Sequence, residues 1–388
     1  MQLKDFNDDI EAPLVERLES FARDMGFDLF GIAPVSDMPE MAYYPAWLEA
    51  GYAGEMGYLH RQLPERLDLR KILPEAASVI VVGLNYNTAV PTSRDLGDSC
   101  RGWISRYAWG DDYHEIIGAR LQKLDDFVRQ QVGETYRSRY YTDTGPVLDR
   151  VVARHAGLGW FGKNTNLINQ QMGSWFFAGE IITNVVLPVD QPPPDRCGTC
   201  RACLDACPTG AFVAPYVLDA QRCISYLTIE LRSSVPVDLR PQMGAHVFGC
   251  DICQEVCPWN RRAPVTQDPA FAPRPGNFAP ELGHLVQLDV EGFRRRFKDS
   301  PVKRARHQGL TRNTLVAMGN SGNPDFLSVL ERFLDGLDHE AAADQAMLRE
   351  HGEWARDRLQ AVARCAPEGS VASRGGEEAG GQRSSLHP

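Results

Sequence analysis

Long apolar runs are missing from this sequence: no stretch reaches the roughly 18 residues that a helix needs to cross a bilayer. Missing too are the basic start and the apolar core of an export signal. The opening MQLKDFNDDIEAPLVERLESFARDMGFDLFGIAP reads instead as an amphipathic helix followed by a short strand. No G-x-G-x-x-G follows a strand and no Walker-type loop occurs, so neither a nicotinamide domain nor an ATPase is supported. Positive charge is not in surplus either. With 41 Lys and Arg against 51 Asp and Glu, the formal net charge of −10 argues against indiscriminate binding to nucleic acid, while leaving room for a local basic face. A cytoplasmic protein with no membrane partner is expected.

Cysteine, by contrast, is plentiful: the chain has ten. Disulfides are disfavoured in a reducing cytosol, so clustered cysteines there point to metal ligation or redox chemistry. Cys100 and Cys365 lie far from the others and read as ordinary thiols. The strongest signal is Cys197-x2-Cys200-x2-Cys203-x3-Cys207-Pro208. This is the bacterial ferredoxin spacing, in which three thiolates bind one [4Fe–4S] cluster and the fourth crosses to another. A second group, Cys250-x2-Cys253-x3-Cys257-Pro258, has the last three positions of that pattern, and Cys223 can supply the missing one. The ligands then close as Cys197, Cys200, Cys203 and Cys257 for one cluster and Cys207, Cys223, Cys250 and Cys253 for the other. Zinc modules also use short C-x2-C steps, but seldom with the x2-x2-x3-Pro spacing. Two clusters in series imply a one-electron relay and leave open what is reduced.

Around this framework, residues 1–190 look α/β. Strands are expected over 77–84, 136–142 and 176–187, and a helix over 113–132 with one apolar face. Gly145-Pro146 introduces another helix running to about residue 156, with Pro146 in its first turn. Gln191-Pro192-Pro193-Pro194 is a stiff linker into the cysteine-rich segment. Amphipathic helices are expected over 311–318, 324–334 and 339–362, in the manner of a short α-solenoid packed on the body of the protein. The Gly-, Ser- and Glu-rich tail over 367–388 reads as disordered.

Several stretches outside the cysteines resemble the epoxyqueuosine reductase family: Ile104-Ser105-Arg106-Tyr107-Ala108-Trp109-Gly110, Thr142-Asp143-Thr144-Gly145-Pro146 through Arg150, Gly157-Leu158-Gly159-Trp160-Phe161-Gly162-Lys163-Asn164-Thr165-Asn166-Leu167, Gly173-Ser174-Trp175, Cys223-Ile224-Ser225-Tyr226, and Gly249-Cys250-Asp251-Ile252-Cys253. Gly244-Ala245 departs from the family's usual Gly-Asn. The resemblance implies an α/β cobalamin-binding catalytic domain over 1–190 and an inserted two-[4Fe–4S] ferredoxin-like module over 191–290. An α-helical HEAT-like C-terminal domain over 291–366 would help hold tRNA. The implied reaction reduces epoxyqueuosine to queuosine in the tRNA anticodon loop, with electrons from an external low-potential donor of ferredoxin or flavodoxin type, in a monomer. The alternatives are another corrinoid reductase resembling the reductive dehalogenases, or a non-catalytic ferredoxin-type carrier.

Cobalamin follows from the resemblance alone. Asp112-Tyr113-His114 nearly matches the cobalt-ligand motif Asp-x-His-x-x-Gly, but residue 117 is Ile and the glycine is Gly118. Asp143 is expected to be the general acid, its carboxyl kept protonated by burial beside the corrin; its bland reading is a turn carboxylate ahead of Pro146. Lys163, Asn164, Thr165, Asn166 and Leu167, with Ser174 and Trp175, are expected to line the corrin. Arg66, Arg106, Tyr107, Ser225 and Asp251 are further cofactor-site candidates, with second-shell hydrogen bonding equally open to Ser225 and Asp251. Residues 292–312 hold eight Lys or Arg against one acidic residue, a positive face suited to phosphates. Arg294, Arg295, Lys298, Lys303 and Arg304 are the tRNA-contact candidates.

Overall fold

The Ser78–Asn85 strand (SVIVVGLN) is buried along its whole length, and its alternating side chains feed two cores. Ile80, Val82 and Leu84 meet Leu18 and Ala22 of the Asp8–Asp24 helix and Ile117, Leu121, Leu124 and Val128 of the Tyr113–Val132 helix. Val79 and Val81 meet Val151, Val152 and Ala153 of the Asp149–His155 helix on the opposite face. The sheet thus has helices on both sides. Its order is Leu29–Pro34, Ser78–Asn85, Phe176–Thr183, Ser138–Tyr141, and every neighbouring pair is antiparallel. Gly31 allows the close approach of the Asp149–His155 helix, since a Cβ there would lie 1.9 Å from the Ala156 carbonyl oxygen.

This computed structural model describes residues 8–89, 91–337 and 343–365; the tail expected over 367–388 lies outside them. The helix expected at Pro146 begins instead at Asp149. Asp143 has φ 54°, in the left-handed region, and Gly145 sits where a Cβ would lie 2.3 Å from the Tyr141 ring. The chain therefore bends sharply through 142–148 before it can become helical.

Between residues 197 and 257 regular structure is sparse. Short helices Ala202–Ala206 and Ile252–Glu255 pack on each other, and His246–Phe248 runs parallel to Trp103–Ile104. The later helices share one core with this region: Trp103, Ile104, Trp109, Val247 and Phe248 pack with Leu315, Met318, Leu330 and Leu359. At its centre the Arg306–Asn320 helix is buried continuously from Gly309 to Gly319, as a helix covered on all sides must be. Two polar residues fasten it. Arg312 donates to the carbonyls of Leu227 (2.5 Å), Leu231 (3.0 Å) and Ser233 (2.6 Å), and Asn313 Nδ2 to those of Thr228 (2.8 Å) and Val247 (2.9 Å). Arg312 is fully buried and so does not belong to the basic face read over 292–312. Among the described residues, no helix is long and apolar enough to cross a membrane.

Replacing Arg312 with Met strands three buried carbonyls, and a loss of about 3 kcal/mol is expected. Arg294→Ala on the exposed side of the same basic stretch is expected to change stability by less than about 0.5 kcal/mol. Anaerobic thermal unfolding of the two variants side by side checks the contrast.

Candidate active site

The eight framework cysteines fall into two neighbourhoods. Burial pushes the Cys203 thiol up to about 11, with Cys257 and Cys197 adding to it, and burial likewise raises Cys257, beside Cys197 and Cys200. Burial also raises Cys223, which has Cys207 beside it, and Cys250, which has Cys253 and Cys223. Cys253, raised in the same way, feels Cys223, Cys203 and Cys207, so the two neighbourhoods adjoin at Cys203 and Cys253. The Ala202–Ala206 and Ile252–Glu255 helices, which carry Cys203 and Cys253, pack on each other. Among the described residues no three His, Cys, Asp or Glu side chains converge as a single metal ion requires; a cubane meets its thiolates at four separate corners. Crowded, buried thiols resist ionisation until a cationic core balances them, so the donor set fits iron–sulfur clusters. Cys100 stands apart, accepting from Asn323 Nδ2 at 3.2 Å.

The segment expected to line a corrin is directed largely at the cysteine loops. Lys163 Nζ donates to the carbonyls of Gly198 (2.6 Å) and Cys200 (2.9 Å). Asn164 Nδ2 reaches the Cys253 carbonyl (3.2 Å), and Asn166 Nδ2 the Cys253 sulfur (3.7 Å). Ser174 Oγ donates to Gln254 Oε1 (2.9 Å) and accepts from Asn260 Nδ2 (2.9 Å). Thr165 takes a positive φ of 63°, and its carbonyl accepts from Arg150. Leu167 and Trp175 are buried in the two cores flanking the sheet. Ser225 bonds to the Cys223 sulfur. Asp251 is buried and accepts from Trp103 Nε1 (3.1 Å), Ser105 Oγ (2.5 Å) and the Arg106 backbone N–H (2.8 Å). It therefore anchors the 103–106 segment to the second cysteine group, the supporting role left open for it.

Arg106 is buried, donates to Asn87 Oδ1 (3.0 Å) and the Thr88 carbonyl, and lies over the rings of Trp109 and Trp175. Arg66, also buried, donates through Nη1 to the Val147 carbonyl (2.9 Å), while its Nε has no partner among the described residues.

Asp143 lies on the bend after the Ser138–Tyr141 strand, with its side chain 71% exposed, so the burial expected for its carboxyl is not found. Nor is it a capping carboxylate for the next helix. Its Oδ2 accepts from the Tyr113 hydroxyl (2.6 Å) and lies 4.0 Å from His114 Nε2. Tyr113 stacks between Phe177 (4.1 Å) and His114 (4.0 Å), and Tyr107 meets it edge-on at 6.1 Å. Burial pushes the Tyr107 hydroxyl well up, with Asp143 and Asp251 adding to it. His114 Nδ1 in turn bonds to Asp112 Oδ1 (2.6 Å), and Lys303 Nζ to Asp112 Oδ2 (2.7 Å). Arg304 pairs with both oxygens of Glu230 (2.9 Å each) and lies over the Tyr58 ring. Arg294, Arg295 and Lys298 are exposed as well, so the basic stretch presents all five selected cations on the surface and ends beside Asp143's neighbours.

Two acids beneath the bend were missed from the sequence. Glu180, in the Phe176–Thr183 strand, is 1% exposed; burial and then Asp149 push its carboxyl well above the usual range. Asp149 is pushed up to about 6 by burial and then by Asp143. A lone glutamate inside the apolar run FFAGEIITNVVL was the available signal. The Asp112–His114 pair was seen only as a failed cobalt motif.

Comparison with known proteins agrees with this geometry. The family described as "4Fe-4S double cluster binding domain" matches residues 196–260, and that described as "Epoxyqueuosine reductase QueG, DUF1730" matches residues 66–144. The epoxyqueuosine reductase of Pseudomonas aeruginosa is 41% identical over 346 residues, covering 89% of this chain and 94% of that protein. Two solved structures each cover 90% of this chain and 99% of their own. One is an epoxyqueuosine reductase with a tRNA-Tyr epoxyqueuosine-modified stem loop (TM-score 0.74, 28% identity); the other is the Bacillus subtilis enzyme with its catalytic aspartate loop swung out of the active site (TM-score 0.76, 27% identity).

Lys163→Met keeps the aliphatic stem and removes two carbonyl bonds from the first cysteine loop. The variant is expected to keep its secondary structure and to lose iron to a chelator several-fold faster, followed by the decay of visible absorbance.

Proposed function

Because this chain belongs to the epoxyqueuosine reductase family, we propose that it reduces epoxyqueuosine to queuosine in the anticodon loop of tRNA. The conversion removes one oxygen: epoxide, two electrons and two protons give alkene and water. The observation that carries the reading is the Asp143 carboxyl, held on a left-handed bend by the Tyr113 hydroxyl (2.6 Å), with the Tyr107 ring edge-on to Tyr113. A bare electron carrier has no use for such an acid.

Electrons enter singly from a ferredoxin- or flavodoxin-type donor and pass through the two clusters held by Cys197, Cys200, Cys203 and Cys257 and by Cys207, Cys223, Cys250 and Cys253. Cobalamin is the remaining cofactor. The residues present fit it: the buried guanidinium of Arg66 keeps Nε without a partner among the described residues, a donor suited to a polar group of the cofactor. Arg66, Tyr107, Thr165 and Trp175 would hold it, with the loop from Lys163 to Asn166 bridging to the cysteine loops. When bound, cobalamin supplies low-valent cobalt, a strong reductant. Asp143 gives a proton to the oxygen that leaves carbon. Its exposure suits this role, since the covering RNA itself excludes water when the nucleoside is seated. Arg294, Arg295, Lys298, Lys303 and Arg304 receive backbone phosphates, and the C-terminal helices form the HEAT-like support for them. The enzyme acts as a cytoplasmic monomer.

Anaerobic reconstitution with iron, sulfide and cobalamin, then incubation with reductant and epoxyqueuosine-containing stem loop, is expected to give RNA lighter by one oxygen on mass analysis. Asp143→Ala is expected to keep its iron and corrinoid absorbance while turnover falls by at least about 100-fold; an active variant would remove Asp143 from this role. Replacing Arg294, Arg295 and Lys298 together by Ala is expected to weaken RNA binding and flatten its dependence on salt, as measured by titration at several ionic strengths.

A further inference from the structure

The reaction consumes two protons in each turnover, while Asp143 holds only one. The carboxyl must therefore be recharged between its two transfers, and a donor within reach of the same oxygen does this fastest. The described residues offer two side chains at that oxygen. The Tyr113 hydroxyl already donates to Oδ2 at 2.6 Å and is pushed well up by burial and by Asp143, which makes it a reluctant acid. The other is His114, whose Nε2 lies 4.0 Å from the same oxygen, a gap closed by a small shift or by one water.

The arrangement around His114 fixes its working tautomer. Burial opposes ionisation of Asp112, yet bonds from His114 and Lys303 outweigh it and hold the carboxyl well below the usual carboxylate range. The ionised Asp112 accepts from the His114 backbone N–H (3.2 Å) and from Nδ1 (2.6 Å). Nδ1 therefore keeps its proton, and Nε2 is the nitrogen that gains and loses one. The Tyr113 ring, stacked at 4.0 Å, holds the imidazole plane. The charged groups about the imidazole are Asp112 and Asp143, with Lys303 on the far oxygen of Asp112 and Glu115 and Asp299 near Lys303. The His114 side chain is 32% exposed, so it can recharge from solvent.

We propose that His114, oriented by Asp112, is the positioning residue that reloads Asp143 with its second proton during a turnover. Asp143 gives its proton to the oxygen that has left one carbon and becomes a carboxylate. Imidazolium Nε2 returns a proton to that carboxylate. Asp143 then protonates the same oxygen again as it departs as water, and His114, left neutral, takes a proton from solvent. Two protons reach the oxygen, and both electrons come from the external low-potential donor. Lys303 joins this chain to the phosphate-facing stretch through its bond to Asp112.

The inference rests on the epoxide-reducing reading, and the test separates the two. Reconstituted wild-type enzyme, His114→Gln and His114→Ala are compared on epoxyqueuosine stem loop, with iron and corrinoid absorbance measured alongside. Both variants are expected to bind RNA with unchanged KM and to lose about 10- to 100-fold in kcat. The wild-type rate is expected to fall as pH rises, because the protonated ring is the reloading form. The variants are expected to lack that fall, and added imidazole to restore His114→Ala in part. Asp112→Asn is expected to give a smaller kcat loss with the pH dependence retained. Unchanged kcat and pH profile in His114→Gln, or a loss in His114→Ala equal at every pH and untouched by imidazole, would overturn the role of His114 while leaving the function standing. A wild-type enzyme that leaves the epoxide intact would overturn both.

Discussion

Eight thiols packed into a segment with little regular structure pose the central physical problem of this molecule. Sulfurs held close together resist ionisation, and the loops that carry them are held by turns and short helices rather than by a sheet. The solution is external bracing. Lys163 and Asn164 take carbonyls of the cysteine loops, Asp251 gathers Trp103, Ser105 and Arg106, and Arg312 and Asn313 reach from a buried helix to the carbonyls after Cys223 and before Cys250. A charged residue in the middle of a core helix is costly unless fully bonded, and Arg312 meets that condition. The cluster segment is thereby fixed to both the sheet and the C-terminal helices.

The acid site is built on a different principle. Asp143 stands on a bend that its own backbone conformation makes sharp, above Glu180 and Asp149, whose carboxyls are both shifted toward their neutral forms. The buried Glu180, pushed well up, limits negative charge beneath Asp143. The cations of the C-terminal stretch approach from the other side. Lys303 and Arg304 are tied to Asp112 and Glu230, so the basic stretch ends against residues that neighbour Asp143. Tyr107 meets Tyr113 edge-on, and Tyr113 holds Asp143.

Much of this was legible from residue order. The strand at 77–84 and the helix at 113–132 depend on local periodicity, and these survive folding nearly unchanged. The helix start at Pro146 was misplaced because a left-handed aspartate and the Tyr141 ring against Gly145 decide where the chain can turn. Lys163, Asn164, Asn166 and Ser174 were assigned to a cofactor, yet their polar atoms face the cysteine loops. Arg312 was counted with surface cations, although the apolar residues on both sides of it, Leu310 and Leu315, already marked its helix as core.

The sequence by itself determined the two-group division of eight cysteines, the apolar strands and the motifs that identify the family, since each is written in short-range spacing. Only the tertiary structure decided that Asp112, His114, Asp143 and Lys303 form one connected set, and that Glu180 and Asp149 lie beneath it. Those contacts join segments remote along the chain, and a hydrogen bond between remote side chains leaves no periodic trace in either segment. Its existence depends on where the sheet, the bend and the C-terminal helices come to rest.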